Sequence, residues 1–214
     1  MRQFEYHEKW KQLLTPEIVS YLTQIHEFKG EQTLFLEAKA DALFQLADIA
    51  KIQSIDASNK IDGIYTSDER LKVLVKDTTR PKTHNEREIA GYRDVLNTIY
   101  RNHDYIPPKS PIILQLHRDL YKFEGFDMGG KYKTMDNVIE EEDAFSKRFV
   151  RFQPMGAWET PEALEKLCRS YEDAIAMEQI DPLLLIPMFI LDFLCIHPFD
   201  DKLETQVKDL CLCA

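Results

Sequence analysis

The sequence predicts a mostly α-helical fold with one short β-hairpin. The 214 residues include only 7 glycines and 10 prolines, which favours helices and excludes a collagen-like or linker-rich chain. Apolar residues recur at helical spacing in several stretches, whereas only the segment near residues 130–153 has the pattern of a hairpin. A chain of this length buries a core large enough to need neither disulfides nor a metal.

The first half of the chain predicts three helices after an early helical stretch that Gly30 interrupts. Glu31 to Ile55 has the apolar spacing of a long amphipathic helix. Thr66 to Val75 predicts a short helix with Ser67 as its N-cap, and Asn85 to Arg101 predicts a third helix with one apolar face.

The second half predicts three more helices around the hairpin. Ile112 to Phe123 follows a cluster of prolines that breaks the chain. Gly129-Gly130 opens the hairpin segment, and helices resume at Pro161 to Met177 and at Pro182 to Ile196. Asp181 suits the N-cap of the last helix because a proline follows it in the first turn.

Charge and composition exclude several classes of partner. The 37 acidic residues outnumber the 27 basic ones, giving a net charge of −10, which argues against nucleic-acid binding. The most apolar run, Leu183 to Ile196, contains Pro187 and Asp192 and is too short to span a bilayer, so no membrane partner is expected. The four cysteines lack zinc-site spacing, and the amino terminus lacks an apolar signal, so we expect a cytoplasmic protein.

The residues after the last helix suggest chemistry. His197 lies just past the predicted helix end, since Pro198 stops the helix, and a helix carboxyl end favours a protonated imidazole. Asp200 or Asp201 could hold Mg²⁺, which commonly binds one or two carboxylates plus substrate phosphates. A histidine before proline at a helix end is also a common structural stop, so this segment alone does not decide between the two roles.

Three motifs together resemble one family. The run HPFDD at residues 197–201 resembles the opening of the Fic-domain signature, His-Pro-Phe-x-Asp/Glu-Gly-Asn-Gly-Arg. The stretches GGKYKTMDNVI (residues 129–139) and RFQPMGAWETPEALEKL (residues 151–167) are similar to the family's flap hairpin and the approach to its next helix. Ser58 to Gly63 resembles its inhibitory-helix motif, Ser/Thr-x-x-x-Glu/Asp-Gly/Asn. These pieces stand in the family's order over roughly residues 30–201.

The resemblance implies a helical Fic-like fold that transfers AMP from ATP to a Ser, Thr or Tyr hydroxyl of a target protein. His197 would be the general base, Asp201 would hold Mg²⁺ on the ATP phosphates, and Pro198 and Phe199 would shape the loop. The flap would clamp the target as an added strand. Its residues would be Tyr132, Val138, Val150, Arg151 and Phe152.

The resemblance also implies an inhibitory role for Ser58, Asp62 and Gly63. Asp62 would be the inhibitory acid; it is one methylene shorter than glutamate, and the arginine with which it would pair is missing from this chain. The alternative is a short capped turn with Ser58 as N-cap and Gly63 as stop.

The signature breaks after Asp201, where the family has Gly-Asn-Gly-Arg and this chain has Lys202-Leu203-Glu204-Thr205. Glycines allow a backbone turn whose N–H groups bind phosphate. Glu204 instead brings a negative charge, and two like charges 4 Å apart repel by about 4 kcal/mol at an effective dielectric constant near 20. We therefore assign no phosphate-binding residue and expect transfer to be impaired or absent.

An abrupt end of the match suggests a frameshift or a natural truncation. We expect a C-terminally truncated domain with three parts: helices over residues 1–80, a Fic-like core over 81–201 and a divergent tail over 202–214. Missing family helices would expose apolar surface on Leu183 to Ile196 and favour self-association.

Two alternatives remain at this point. The first is a non-catalytic binding module that recognises a partner protein through the flap. The second is another hydrolase or metal enzyme that uses His197. The remaining histidines argue against the second because they are scattered and form no HExxH or Ser-His pattern. They are His7, His26, His84, His103 and His117.

Overall fold

The computed structural model describes residues 4–38, 40–61, 63–124, 129–142 and 146–200. Over these residues it is a helical fold with one antiparallel hairpin, as the sequence predicts. The helices are α1 (Tyr6–Lys9), α2 (Pro16–Ala38), α3 (Ala40–Ile61), α4 (Asp68–Val75), α5 (His84–Asn102), α6 (Ser110–Leu120), α7 (Thr160–Ala176) and α8 (Pro182–Ile196). The strands are β1 (Ile139–Glu142) and β2 (Arg148–Phe152), and short 3-10 helices span Trp10–Leu13 and His103–Tyr105.

The helix starts follow the predicted capping residues. Ser67 Oγ accepts a hydrogen bond from the Arg70 backbone N–H at 3.3 Å, and Asp181 Oδ1 accepts one from the Leu183 N–H at 2.9 Å. Each side chain satisfies one of the backbone donors that a helix leaves unpaired in its first turn. Both N-cap predictions are confirmed, as are the helices that follow them.

The prediction at Gly30 is wrong. Gly30 lies inside α2, and the predicted helix from Glu31 to Ile55 is covered by parts of α2 and α3. A glycine inside a helix lowers its stability by about 1 kcal/mol relative to alanine. Neighbouring residues with high helix propensity can offset this cost, so a glycine alone does not end a helix.

Helix α3 ends in a hydrogen-bonded turn that contains Gly63. The Gly63 N–H donates to the Lys60 carbonyl at 3.1 Å, and the Ile64 N–H donates to the Asn59 carbonyl at 2.9 Å. With Gly63 at φ +77°, this is a Schellman motif, which favours glycine at that position. Gly63 therefore stops the helix as expected, but Ser58 is a buried residue in its last turns and not the N-cap of a separate turn.

The core lies among α5, α6, α7 and α8. Buried apolar side chains from these helices fill it, including Ile89, Leu96, Leu164, Leu167 and Phe193. Helices α5 and α6 approach closely because α5 has a glycine at the contact: a Cβ on Gly91 would lie 1.9 Å from the Leu120 carbonyl oxygen. Helix α8, whose carboxyl end carries the HPFD segment, packs on this core against α7.

The hairpin projects from this core with its strands exposed. β1 pairs with β2 so that Ile139 faces Phe152, Glu140 faces Val150 and Glu142 faces Arg148. The register shifts by one residue between Ile139 and Glu140, which leaves Arg151 as the extra residue of a β-bulge. In the described part of the chain, the sheet has these two strands alone.

The long N-terminal helix α2 meets the start of α8. His26 Nε2 lies 2.6 Å from Asp181 Oδ2, and this contact lowers the pKa of Asp181 against the opposing effect of its burial. None of the helices described is both long enough and apolar enough to cross a membrane.

Candidate active site

His197 is held in a strained backbone conformation where α8 ends. Its φ of 51° and ψ of 69° are left-handed, and its N–H still donates to the Phe193 carbonyl at 3.0 Å. A residue with a Cβ pays about 1–2 kcal/mol for this conformation, so surrounding contacts must hold it. Pro198 follows immediately and is buried, which prevents α8 from continuing.

Residues 133–137, which we call the strap, supply those contacts. The Lys133 ammonium is buried and donates to the Ile196 carbonyl at 3.0 Å, while the Lys133 backbone N–H donates to the Pro198 carbonyl at 2.9 Å. A cation at the carboxyl end of α8 satisfies a carbonyl that the helix leaves unpaired and opposes the negative end of the helix dipole.

The strap also binds the residues after Phe199. Thr134 donates to Asp200 Oδ2 through its backbone N–H at 2.9 Å and through its hydroxyl at 3.2 Å. The Asp200 carboxylate therefore serves the loop structure. Asp201, the carboxylate that the resemblance assigns to Mg²⁺, lies outside the described residues.

Asn137 joins the strap to the imidazole. Its Nδ2 lies 2.9 Å from His197 Nδ1 and donates to the Phe199 carbonyl at 3.2 Å. An amide NH₂ group has two hydrogens, so it satisfies both partners when Nδ1 acts as an acceptor. Proton positions are inferred here from the hydrogen bonds. Because Nδ1 accepts from Asn137, the neutral His197 imidazole has its single proton on Nε2.

The loop rests on a stack of aromatic rings. Phe199 is fully buried, and its ring lies 3.7 Å from the His117 ring with an interplanar angle of 5°. His117 Nδ1 in turn accepts the Gly130 N–H at 2.7 Å, and Gly130 has a φ of +79°, which suits glycine. The turn that precedes the strap is thus tied to the same ring that supports the loop.

The predicted flap residues divide into two groups. Tyr132 does not belong to the hairpin: it is half-buried against the core, and its hydroxyl is hydrogen-bonded to Ser110 Oγ. Val138 is exposed and directly precedes β1, while Val150, Arg151 and Phe152 lie on β2. Residues 132–138 form no strand because the strap's donors are bonded to the HPFD loop. A role in target binding stays a prediction for these residues.

Arg151 has a partner within the hairpin. Its guanidinium pairs with the Glu141 carboxylate on β1, and both side chains are largely exposed. An exposed pair of this kind contributes little to stability, about 0–1 kcal/mol.

Three predicted parts of the site fall outside the described residues. They are Asp201, the tail from Lys202 to Thr205 and Asp62. Ser58 is placed: its hydroxyl accepts a hydrogen bond from the Tyr92 hydroxyl at 3.1 Å, which joins α3 to α5. Within the described ranges, no group of three or more His, Cys, Asp or Glu side chains is arranged to hold a metal ion.

Sequence reasoning missed the residues that position the imidazole. Lys133 and Asn137 lie in the stretch compared with the flap, and His117 is one of the scattered histidines to which the sequence assigns no role in the site. The signal available was the density of polar donors directly before β1, in the sequence Lys133-Thr134-Met135-Asp136-Asn137. Such donors are better suited to binding a neighbouring loop than to a strand.

Residues 107–201 match the model of the Fic/DOC family. This chain carries a Fic domain. The matched residues include the strap, the hairpin and α6 to α8, and they end at Asp201, where the signature breaks.

Two solved structures share the fold. A Fic family protein from Desulfovibrio desulfuricans G20 is 21% identical with a TM-score of 0.71, over 93% of this chain and 58% of that one. A Fic domain containing signaling protein from Bacteroides thetaiotaomicron VPI-5482 is 20% identical with a TM-score of 0.64, over 80% of this chain and 66% of that one. This chain therefore spans less than two thirds of either protein. No curated protein matches it.

Proposed function

We propose that this Fic domain is of the type that transfers AMP from ATP to a Ser, Thr or Tyr hydroxyl of a target protein, and that the present chain does so weakly or not at all. The observation that supports the site is the position of His197, on a left-handed turn at the end of α8 where the buried Lys133 ammonium binds the preceding carbonyl of Ile196. The Fic/DOC match over residues 107–201 supports the class of domain.

In the proposed reaction His197 is the general base. Nε2 takes the proton of the target hydroxyl while that oxygen bonds to the α-phosphorus of ATP. The bond from this phosphorus to the bridging oxygen breaks, and pyrophosphate leaves with the electron pair. Asp201 is the carboxylate proposed for Mg²⁺ on the phosphates.

This role requires Asn137 to change its orientation. A proton acceptor at Nε2 has its own proton on Nδ1, which needs an acceptor and not the Nδ2 donor that faces it in the structure. Rotation of the amide would present Oδ1 to Nδ1–H and give up the bond to the Phe199 carbonyl. We therefore propose that the described arrangement is a resting state and that the amide turns before catalysis.

The divergent residues after Asp201 support the proposal of impaired transfer. Lys202-Leu203-Glu204-Thr205 contains no glycine to form a phosphate-binding backbone turn and no arginine to pair with a terminal phosphate. Glu204 adds repulsion toward the phosphates. We expect ATP affinity to be reduced by orders of magnitude relative to a chain with Gly-Asn-Gly-Arg.

A labelling experiment tests both parts of the proposal. The chain is incubated with Mg²⁺ and ATP labelled at the α-phosphate, alone and with a cell extract, beside a variant carrying Lys202→Gly, Leu203→Asn, Glu204→Gly and Thr205→Arg. We expect trace labelling of protein by the natural chain and a clear increase with the restored variant. His197→Ala in the restored background should abolish the label, whereas His103→Ala, a change at an exposed histidine, should not.

Either of two results would contradict the proposal. Label that survives His197→Ala excludes the assigned base. Equal labelling by the natural and restored chains excludes residues 202–205 as the cause of weak transfer.

The exposed hairpin supports a second candidate function, recognition of a partner protein without transfer. Both strands are largely exposed, and an unpaired strand edge can add a strand from an extended peptide. Val150→Pro would remove a backbone donor from β2. A partner that binds the natural chain without ATP and is lost with Val150→Pro supports recognition; equal retention by both contradicts it.

Apolar surface on α8 supports the proposal that the chain self-associates. Leu183 and Leu191 are 40% and 57% exposed, and they lie with Pro187 at four-residue spacing on one helix face. Light scattering during gel filtration should show species larger than 25.1 kDa that decrease with Leu191→Ser. A monodisperse monomer with a sharp thermal transition would contradict this proposal.

A further inference from the structure

A polar cleft lies away from His197, between α3, the end of α4 and α5. Its volume is about 500 Å³, within the range of roughly 300–1,000 Å³ typical of small-molecule sites. Helix α3 lines one wall with Asp48, Lys51 and Ile52, and α5 lines the other with Asp94, Asn97, Thr98 and Arg101. Residues three and four apart share a helix face, so both helices present a polar face to the same space.

The cleft is positive in a chain whose net charge is −10. Four cationic side chains line it: Lys51, Lys76, Arg101 and Lys122. Three carboxylates line it as well, and two of them are already bound to cations. Asp77 Oδ1 lies 2.9 Å from Nη1 of the buried Arg93, and Asp94 pairs with both Arg93 and Lys122.

The pairing of Asp77 and Asp94 with Arg93 and Lys122 leaves an excess of positive charge. The charged side chains that remain in the lining are three cations, Lys51, Lys76 and Arg101, and one carboxylate, Asp48. Over the ranges that the structure describes, Lys51, Lys76 and Arg101 form no ion pair. Burial and the charge of Arg101 lower the pKa of the Lys51 ammonium, with Asp48 acting in the opposite direction.

We propose that this cleft binds a small anion that carries phosphate groups, held between Lys51 on α3 and Arg101 on α5. A guanidinium bonds phosphate oxygens in pairs, and an ammonium adds a point charge. Lys76 at the end of α4 adds a third cation, and the Asn97 amide adds a neutral donor. A bound anion would offset the repulsion between the Lys51 and Arg101 charges.

Such a ligand would join the two helices that carry the Ser58–Tyr92 hydrogen bond. Lys51 lies seven residues before Ser58 on α3, and Arg101 lies nine residues after Tyr92 on α5. Binding would therefore hold α3, the helix that ends in the Ser58 to Gly63 motif, against the core. This proposal does not depend on AMP transfer or on His197.

Inorganic pyrophosphate is a suitable probe because it has no base or sugar. It is titrated into the natural chain in low-salt buffer with EDTA, and binding is followed by calorimetry and by the thermal transition. We expect binding that weakens as salt is added, since the contact is electrostatic. Lys51→Gln and Arg101→Gln should each weaken binding about tenfold or more, the usual loss for a charged hydrogen bond.

Two controls separate this cleft from other cationic positions. Lys72→Gln removes the same charge from an exposed position on α4 outside the cleft and should leave the affinity unchanged. His197→Ala should also leave it unchanged, because the proposed catalytic site is elsewhere. If His197→Ala abolishes binding while Lys51→Gln does not, pyrophosphate occupies the catalytic site and the cleft proposal is overturned.

The thermal transition gives an independent test. Without pyrophosphate, Lys51→Gln should raise the transition temperature, since it removes repulsion from Arg101; with saturating pyrophosphate, the natural chain should be the more stable. The proposal is overturned if pyrophosphate neither binds nor shifts the natural chain, or if Lys72→Gln weakens binding as much as Lys51→Gln. It is also overturned if Lys51→Gln lowers the transition temperature in both conditions equally, which would make Lys51 a purely structural residue.

Discussion

Replacement of Glu86 by glutamine tests how the structure joins α4 to α5. Glu86 is buried, with 5% of its surface exposed, and Arg70 donates to it twice, from Nε to Oε1 and from Nη2 to Oε2, both at 2.7 Å. The Lys82 backbone N–H donates to Oε2 at 2.6 Å. The Glu86 N–H, in the first turn of α5, also donates to Oγ1 of the N-cap Thr83 at 3.2 Å.

These contacts favour the charged carboxylate. The Arg70 hydrogen bonds lower the pKa of Glu86 from 4.5 to about 2. Burial acts in the opposite direction, and the hydrogen bond from the Lys82 backbone N–H lowers the pKa further. A shift of this size corresponds to at most roughly 3 kcal/mol of stability, since one pKa unit is about 1.4 kcal/mol. Arg70 is partly exposed, and solvent screening reduces the expected contribution to about 1–2 kcal/mol.

The pH dependence follows from the direction of the shift. A carboxylate whose pKa is lower in the folded state stabilises the fold above its ordinary pKa and loses that effect as pH falls toward 2. Glu86→Gln should therefore lower the free energy of unfolding by about 1–2 kcal/mol at pH 7 and by progressively less below pH 4. That loss is about 2–8 °C in transition temperature for a chain of this size.

Urea unfolding at several pH values measures this difference, with Glu69→Gln as a control for an exposed glutamate on the neighbouring helix. The control should stay within about 0.5 kcal/mol of the natural chain. A difference between the natural chain and Glu86→Gln that stays constant from pH 7 to pH 3 would refute the reasoning, as would Glu86→Gln unfolding like Glu69→Gln.

Three further predictions concern packing and reactivity. Gly91→Ala should destabilise the fold by several kcal/mol or prevent folding, because the new Cβ would meet the Leu120 carbonyl. At Gly30 a Cβ meets nothing within 4 Å, so Gly30→Ala should raise the free energy of unfolding in urea by about 0.5–1 kcal/mol. Phe199→Ala should cost about 3–5 kcal/mol by the same measurement, since Phe199 is fully buried; a cost under about 1 kcal/mol would show that the ring is not packed as described. Burial raises the pKa of Cys168 to about 12, so peptide mass spectrometry should find this thiol unmodified by iodoacetamide at pH 8 until the chain is unfolded in urea; rapid modification of the folded chain would contradict its burial.

The sequence predicted the parts of the fold that depend on neighbours along the chain. Ser67 and Asp181 begin helices because each N-cap bonds a backbone donor two or three residues away. The helical spacing around Leu96 and Leu164 reflects a single buried face, which periodicity detects. The position of His197 at the end of α8 followed from Pro198, its immediate neighbour.

The parts that the sequence did not predict depend on distant contacts. Asn137 meets His197 across 60 residues, and Lys133 meets Ile196 across 63. No local propensity records such a pair, so residues 132–138 resembled a strand and proved to be mostly the strap. The stack of His117 on Phe199 is of the same kind, because a buried histidine becomes recognisable only when the ring it supports is known.

The left-handed turn at His197 has a cost in stability. Among the described residues, those other than glycine with positive φ are Asp77, Ser146, Glu178 and His197, and the first three are exposed polar residues. Stability alone would favour glycine, which has no Cβ to conflict with the backbone, or asparagine, whose short polar side chain hydrogen-bonds locally in this conformation. The left-handed backbone itself does not require an imidazole at this position. On the role proposed for His197, a related chain that has lost transfer is expected to carry glycine or asparagine here.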